Sequence, residues 1–140
     1  MNVLVDSSIW SLALRRKPSK LSALERARVA QLSDLVRSHR ARLIGPIRQE
    51  LLTGIRHREQ FQGLRETLRA YLDERLQEGD YEFAAEISNR CMAAGLTVGS
   101  VDALLGAVAI HRGWTLFTAD ADFDAIARYA PLRLHAELSM

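Results

Sequence analysis

The chain has 140 residues, of which 48% are apolar and 26% charged, and its formal net charge is +2. These values are typical of one globular domain with its own hydrophobic core, and they exclude a low-complexity or disordered chain. Its single cysteine, Cys91, excludes an intrachain disulfide, and the sequence has no Cys/His cluster with zinc-site spacing.

The start of the chain predicts a cytoplasmic protein without a membrane segment. The first apolar run is too short for a signal peptide, and no later run approaches the length of a membrane-spanning helix. A chain with one cysteine is also suited to a reducing compartment.

The basic residues are unevenly distributed. From Arg15 to Arg42 the chain has nine basic and two acidic residues, whereas from Asp73 to Arg90 it has six acidic and two basic residues. In total 17 are Arg and 2 are Lys, and Arg can bind phosphate with two parallel hydrogen bonds and stack on bases. One basic region on a nearly neutral domain therefore indicates a phosphate-rich partner, although genome base composition could produce the same excess of Arg.

Short β-rich apolar runs alternate with helical patterns along the chain. The predicted strands are Val3–Val5, Arg42–Gly45, Leu96–Val98, Trp114–Thr118 and, at an edge, Leu132–Leu134. The predicted helices follow Ser11, the capping box of Ser22 and Glu25, Pro46, Phe61, Asp80, Ser100 and Phe123. The helix from Val101 to Arg112 is almost wholly apolar, so we expect it at the centre of the fold.

This alternation predicts the fold class and the domain organisation. Residues 1–140 should form a single α/β domain, a three-layer sandwich with helices on both faces of a central, mainly parallel sheet of four to five strands. Right-handed crossovers would then place the carboxyl ends of all parallel strands at one edge of the sheet.

Acidic residues follow each of the first four predicted strands. Asp6 ends the first strand, Glu50 lies on the helix after the second, Asp102 lies in the first turn of the helix after the third, and Asp120 follows the fourth, with Asp122 and Asp124 beyond it. Singly, each could be a helix-terminus, turn or solvated residue. Together, converging carboxylates repel one another unless some take up protons or a cation binds between them. Oxygen ligands favour Mg2+ or Mn2+, and such a site suits phosphodiester hydrolysis.

Four short segments carry a resemblance to a known family. They are Val5-Asp6-Ser7-Ser8-Ile9-Trp10, Glu50-Leu51-Leu52-Thr53-Gly54, Ser100-Val101-Asp102-Ala103-Leu104 and Thr118-Ala119-Asp120-Ala121-Asp122-Phe123. In this order and spacing the chain resembles the PIN-domain ribonucleases, and among them the VapC-type toxins of bacterial toxin–antitoxin pairs. The resemblance runs essentially from end to end. It implies a PIN-like sandwich and an endoribonuclease that depends on Mg2+ or Mn2+.

The resemblance also implies roles for individual residues and for partners. The acidic quartet would be Asp6, Glu50, Asp102 and Asp120, with Asp6, Asp102 and Asp120 as metal ligands. Asp122 would be an accessory acid, and the Ser8 hydroxyl would orient Asp6 or a bound water. Besides the RNA substrate, the implied partners are a small cognate antitoxin and a second copy of the chain, in a homodimer or a larger complex. The face from Phe61 to Leu76 is a candidate for either protein contact.

Other functions fit less well. A calcium-binding loop starting at Asp120 would need Gly at position 125 and Glu at position 131, where the chain has Ala125 and Pro131. A phosphoacceptor receiver domain would need a Lys after its last core strand, and the only lysines are Lys17 and Lys20. Two alternatives remain open: a non-catalytic PIN-like module that binds nucleic acid or protein, and a DNA-directed nuclease of related fold.

Overall fold

The computed structural model describes residues 1–135. The strands are β1 (Val3–Val5), β2 (Ala41–Arg42) and β3 (Thr115–Phe117). The helices are α1 (Ser7–Leu14), α2 (Ala23–Arg37), α3 (Gly45–Leu52), α4 (Arg58–Leu68), α5 (Glu78–Ala93), α6 (Ser100–Arg112) and α7 (Asp122–Tyr129), with a short 3-10 turn at Pro18–Lys20 between α1 and α2. The predicted α/β class is confirmed. The last five residues of the predicted domain, 136–140, lie outside the described part.

The sheet is parallel, and β1 is its central strand. Its order is β2-β1-β3, with Val3 opposite both Ala41 and Thr115. All three residues of β1 are buried, which explains why its sequence is continuously apolar instead of alternating. The backbone N–H of Asp6 donates to the carbonyl of Phe117 at 2.9 Å, so the end of β1 is fixed beside the end of β3.

The predicted number of strands was too high, because the sheet of the described residues has three. Leu96–Val98 is not a strand: the N–H of Leu96 donates to the carbonyl of Cys91 at 2.8 Å and so completes the end of α5. Gly95, at φ +82°, makes this reversal of the chain possible. At the other predicted edge strand, only Leu134 forms a parallel bridge, to Leu116.

The predicted amphipathic helix through Leu76 was also too long, since α4 ends at Leu68. Leu64 and Leu68 are buried in the core, whereas Leu72 is 88% exposed. The guanidinium of Arg48 explains the stop, because it donates to the carbonyls of Leu68 and Tyr71 and pairs with Asp73 at 2.9 Å. These bonds hold residues 68–73 as a turn, so the face proposed for a partner is shorter than expected.

The predicted central helix is α6. Its residues from Ala103 to Ala109 are all buried, and it packs chiefly against α5. α6 also contacts α7: a Cβ on Gly106 would lie 3.4 Å from a methyl group of Ile126, which is an ordinary van der Waals distance. The first turn of α6 carries Asp102. Through residue 135, no helix has both the length and the apolar character that crossing a bilayer requires.

The predicted helix starts agree best at α2, whereas α1 begins at Ser7, four residues before the predicted Ser11. The Ser22 hydroxyl accepts from the N–H of Glu25 at 3.1 Å, and the Glu25 carboxylate accepts from the N–H of Ser22 at 2.9 Å, so the capping box is confirmed. At α5 the cap is Gln77 and not Asp80. Asp80 lies three residues further on, where its carboxylate accepts from the N–H of Gln77 at 2.9 Å.

Candidate active site

Asp6 is held rigidly at the end of the central strand. It is 6% exposed, and its own carbonyl accepts from the N–H groups of Ile9 and Trp10, which starts α1 immediately after β1. Its carboxylate accepts two hydrogen bonds on one oxygen, Oδ2, from the Ser8 hydroxyl at 2.7 Å and the Thr118 hydroxyl at 2.9 Å. A buried carboxylate needs such donors, and here they also fix its orientation.

The same two hydroxyls organise the loop after β3. The Ser8 oxygen accepts from the N–H of Ala119 at 3.0 Å, and the Thr118 oxygen accepts from the N–H of Asp120 at 3.0 Å. Further along, an Asp120 carboxylate oxygen accepts from the N–H of Asp122 at 2.9 Å. One continuous hydrogen-bonded chain therefore connects Asp6 to Asp120 and Asp122.

Asp102 lies in the first turn of α6 and is half-buried. A Cβ on Gly99 would lie 3.6 Å from its Oδ2, so the carboxylate folds back over the start of the helix. Burial raises the pKa of Asp102 to about 6, and the nearby carboxylates of Asp6, Asp120, Glu50 and Asp122 add to this effect. The Asp102 carboxyl is thus the point at which the negative charges converge.

Glu50 reaches the same place from α3. Its side chain is exposed, and its Oε2 accepts from the Ser7 hydroxyl at 2.6 Å. Ser7 is the first residue of α1, so this bond connects the helix after β2 to the end of β1. One oxygen of Glu50 is occupied in this way, and the carboxylate is oriented by it.

An open cavity of about 320 Å3 collects these groups. It is lined by Asp6, Ser7, Ser8, Ser11, Arg15, Glu50, Leu51, Asp102 and Asp120. The four acids of the predicted quartet and Ser8 therefore meet at one place, as the topology of a parallel sheet requires. Asp122 does not line this cavity, but its carboxylate lies beside it: oxygens of Asp102, Asp120 and Asp122 are all within 4.8 Å of one another.

The sequence analysis missed four polar residues of the site, which are Ser7, Ser11, Arg15 and Thr118. Ser7 and Thr118 stood inside the quoted motifs without a role, and Arg15 was counted only as part of the basic region. The signal for Ser7 and Thr118 is their position next to a strand end that also carries an acid. Arg15 offers no such signal, because only the length of α1 brings it back to the cavity.

The donors of this site are carboxylates and hydroxyls, which are the oxygen ligands that hard divalent cations prefer. Oxygens of Asp102, Asp120 and Asp122 are close enough to bind one ion together. The predicted ligand set was instead Asp6, Asp102 and Asp120, and it stays a prediction. A cation bound by either set of residues would offset the repulsion that helps to raise the pKa of Asp102.

Comparisons with known proteins agree with the motifs. The family model described as PIN domain matches residues 3–129. VapC ribonuclease Mb1587 of Mycobacterium bovis and ribonuclease VapC11 of Mycobacterium tuberculosis are each 31% identical to the chain over 133 residues, which is 94% of this chain and 96% of the relative.

Solved structures share the fold at lower identity. FitAcB from Neisseria gonorrhoeae has a TM-score of 0.74 and 20% identity, with 96% of this chain and 97% of that chain covered. VapBC2 from Rickettsia felis, solved bound to a DNA fragment from its promoter, also has a TM-score of 0.74 and 20% identity, with 96% and 98% covered. The family match and the relatives of full length together establish that this chain belongs to the PIN-domain family, in its VapC branch.

Proposed function

We propose that the chain is a metal-dependent endoribonuclease and the toxin of a toxin–antitoxin pair. The observation that carries this proposal is the cavity where Asp6, Glu50, Asp102 and Asp120 converge from four separate elements. A cluster of carboxylates in which the pKa of Asp102 rises to about 6 is costly to keep without a function. The names of the relatives, VapC ribonucleases, support RNA as the substrate.

The cofactor we propose is Mg2+ or Mn2+, bound by Asp6, Asp102 and Asp120, with Asp122 as an accessory acid. When bound, such an ion polarises the scissile phosphate, activates water and stabilises the leaving oxygen. The proximity of the Asp102, Asp120 and Asp122 oxygens, within 4.8 Å, supports binding at this place.

The chain's own side chains would then perform three tasks. Ser8 and Thr118 both donate to Oδ2 of Asp6 and hold its carboxylate in one orientation, which would leave Oδ1 as the oxygen available to an ion. Asp102 and Asp120 supply the remaining negative charge. Glu50, whose Oε2 is held by Ser7, would accept the proton of the attacking water on Oε1.

We further propose a small antitoxin protein as the natural partner, in a homodimer or a larger toxin–antitoxin complex. Support comes from the solved neighbours, which are the FitAcB and VapBC complexes. An antitoxin that covers the acidic cavity would prevent RNA from reaching it. Co-expression with a candidate antitoxin should yield a stable complex without RNA cleavage, and removal of that partner should restore cleavage.

The direct test is calorimetric titration of Mg2+ and of Mn2+ into the purified chain, followed by RNA cleavage in the same samples with and without a chelator. Asp6→Asn is the test variant, and we expect it to lose metal binding and at least about a hundredfold in cleavage. Asp34→Asn is the matched control, because Asp34 is an exposed residue of α2 whose ion-pair partner among residues 1–135 is Arg37. A DNA of the same sequence is included as a competing substrate.

Each outcome decides between the functions. Metal binding and chelator-sensitive RNA cleavage that Asp6→Asn abolishes and Asp34→Asn preserves would support the proposal. Absence of metal binding in every variant would refute it and favour a non-catalytic binding module. Cleavage of DNA in preference to RNA would identify a DNA-directed nuclease of the same fold.

A further inference from the structure

Arg15 is the basic residue of the acidic cavity. It is the C-cap of α1, the helix that begins directly after Asp6, and two turns of helix bring it back to line the cavity with the acids. The other polar residues of the lining are carboxylates and serines. Arg15 is itself exposed to solvent.

Among the described residues, the Arg15 side chain nevertheless has no acidic partner. Other arginines of the fold have carboxylate partners: Arg16 lies 3.6 Å from Glu25, and Arg48 lies 2.9 Å from Asp73. Within residues 1–135, Arg15 forms no ion pair, and its guanidinium donates no hydrogen bond. The five donors of its fork are therefore available for a ligand from solution.

The exposed segment from Arg15 to residue 20 contains two lysines, Lys17 and Lys20. Lys17 and Lys20 flank and end the 3-10 turn, and in the described part of the chain neither side chain has an acidic partner. Together the three residues form an exposed basic segment whose first member lines the cavity.

An RNA strand meets an electrostatic difficulty at this cavity. A divalent cation can offset the acids at the scissile phosphate, but the neighbouring phosphates of the strand also approach them. We infer that Arg15 binds the phosphate next to the scissile one with its planar fork and that Lys17 and Lys20 continue this phosphate path along the same strand. The inference rests on the proposed function, and it makes Arg15 a substrate-binding residue.

The test uses the salt dependence of RNA binding, since each phosphate contact releases counterions. A fluorescein-labelled single-stranded RNA of mixed sequence is titrated by anisotropy, with Ca2+ in place of Mg2+, after gels have verified that the RNA stays intact. For single strands, log K falls with log salt by about 0.7 per phosphate contact, so we compare slopes from about 50 to about 200 mM NaCl.

Three variants are compared with the wild type. Arg15→Gln should bind about tenfold more weakly and lose about 0.7 from the slope, whereas Arg15→Lys should keep the slope and lose only part of the affinity. Arg69→Gln is the matched control: it removes the same charge from an exposed residue that also lacks an acidic partner among the described residues but lies outside the cavity. It should keep both the slope and the affinity. Under cleavage conditions, Arg15→Gln should raise KM more than it lowers kcat.

The results separate this inference from the function on which it rests. If the wild type neither binds nor cleaves RNA, the proposed function fails and the inference fails with it. If the wild type binds and cleaves RNA while Arg15→Gln keeps the full slope, only the role of Arg15 is refuted. A lower melting temperature of Arg15→Gln in chelator with an unchanged slope would identify Arg15 as a residue that neutralises the acids of the free protein.

Discussion

Two carboxylates at opposite ends of α6 have contrasting environments. Asp80 packs against the last turn and is 2% exposed. It accepts from Arg112 at 2.5 and 2.9 Å and lies 2.9 Å from Nδ1 of His111, and the Arg112 guanidinium, the Gln77 N–H and His111 hold its pKa well below the ordinary value. Asp102 lies in the first turn among other acids, and its pKa is raised to about 6.

The contrast separates charge that serves folding from charge that serves a ligand. Arg112 pairs with Asp80 inside the protein, so the charge of Asp80 at the C-terminal end of α6 is neutralised without any ligand. The charge of Asp102 has no basic counterpart among the residues that line the cavity except Arg15, so we propose that a cation from solution balances it. The two clusters should therefore respond in opposite ways to substitution.

The largest effect on stability should come from Arg112→Met. It leaves the buried Asp80 without its main partner, and breaking such a pair typically costs about 3 kcal/mol or more. Urea unfolding should report this loss, while RNA cleavage per folded molecule stays unchanged. Arg37→Met is the control, because Arg37 forms an exposed pair with Asp34 and should leave the unfolding midpoint where it was. Equal midpoints for both variants would show that Asp80 needs no internal partner.

A smaller effect is expected at the hydroxyl that orients Asp6. Thr118→Val keeps the shape of the side chain but removes its bonds to the Asp6 carboxylate and to the N–H of Asp120. Loss of a hydrogen bond that orients a metal ligand typically costs about 10- to 100-fold in metal affinity. Calorimetry with Mn2+ measures this directly. Thr67→Val, which removes only a bond to a carbonyl of α4, should bind Mn2+ like the wild type, and an equal loss in both variants would argue against an orienting role.

The smallest effect is a gain in stability from Asp102→Asn in metal-free buffer. The folded pKa of about 6 exceeds the ordinary value of 3.8, so the folded state binds the proton more tightly. Ionisation then destabilises the fold as pH rises from about 4 through about 6. After allowance for solvent screening, the variant should be more stable by about 1 to 2 kcal/mol at pH 8 and by almost nothing at pH 4.

Thermal unfolding in chelator at the two pH values measures this difference. Asp34→Asn should show no such pH-dependent gain, because its carboxyl is exposed on α2. A gain of equal size at pH 4 and pH 8 would mean that repulsion among the acids is not its cause.

Local signals in the sequence predicted much of this site. Val3–Val5 is a continuous apolar run followed at once by an acid, and Ser100–Arg112 is an apolar helix with an acid in its first turn. For such segments the neighbouring residues decide both the element and the position of the acid. The parallel topology then brings the acids together without further information.

The wrong predictions concern segments that distant residues control. Leu72 keeps the helical spacing of the residues before it, but Arg48, more than 20 positions earlier, binds the carbonyls after Leu68 and ends the helix. Leu96–Val98 has a strand-like composition, but its first N–H completes α5. Whether Arg15 has an acidic partner among the described residues depends likewise on where the acids of other elements lie in space.

The edges of the sheet limit the way in which another chain can bind. Its outer strands are not open: Leu43 at the end of β2 forms a parallel bridge to Asp73, and Leu116 of β3 forms one to Leu134. Both edges are therefore covered by short segments of the same chain, which protects against edge-to-edge aggregation. A peptide that added a strand along these positions would have to displace these segments, so we expect a partner to recognise helix faces and the side chains around the cavity.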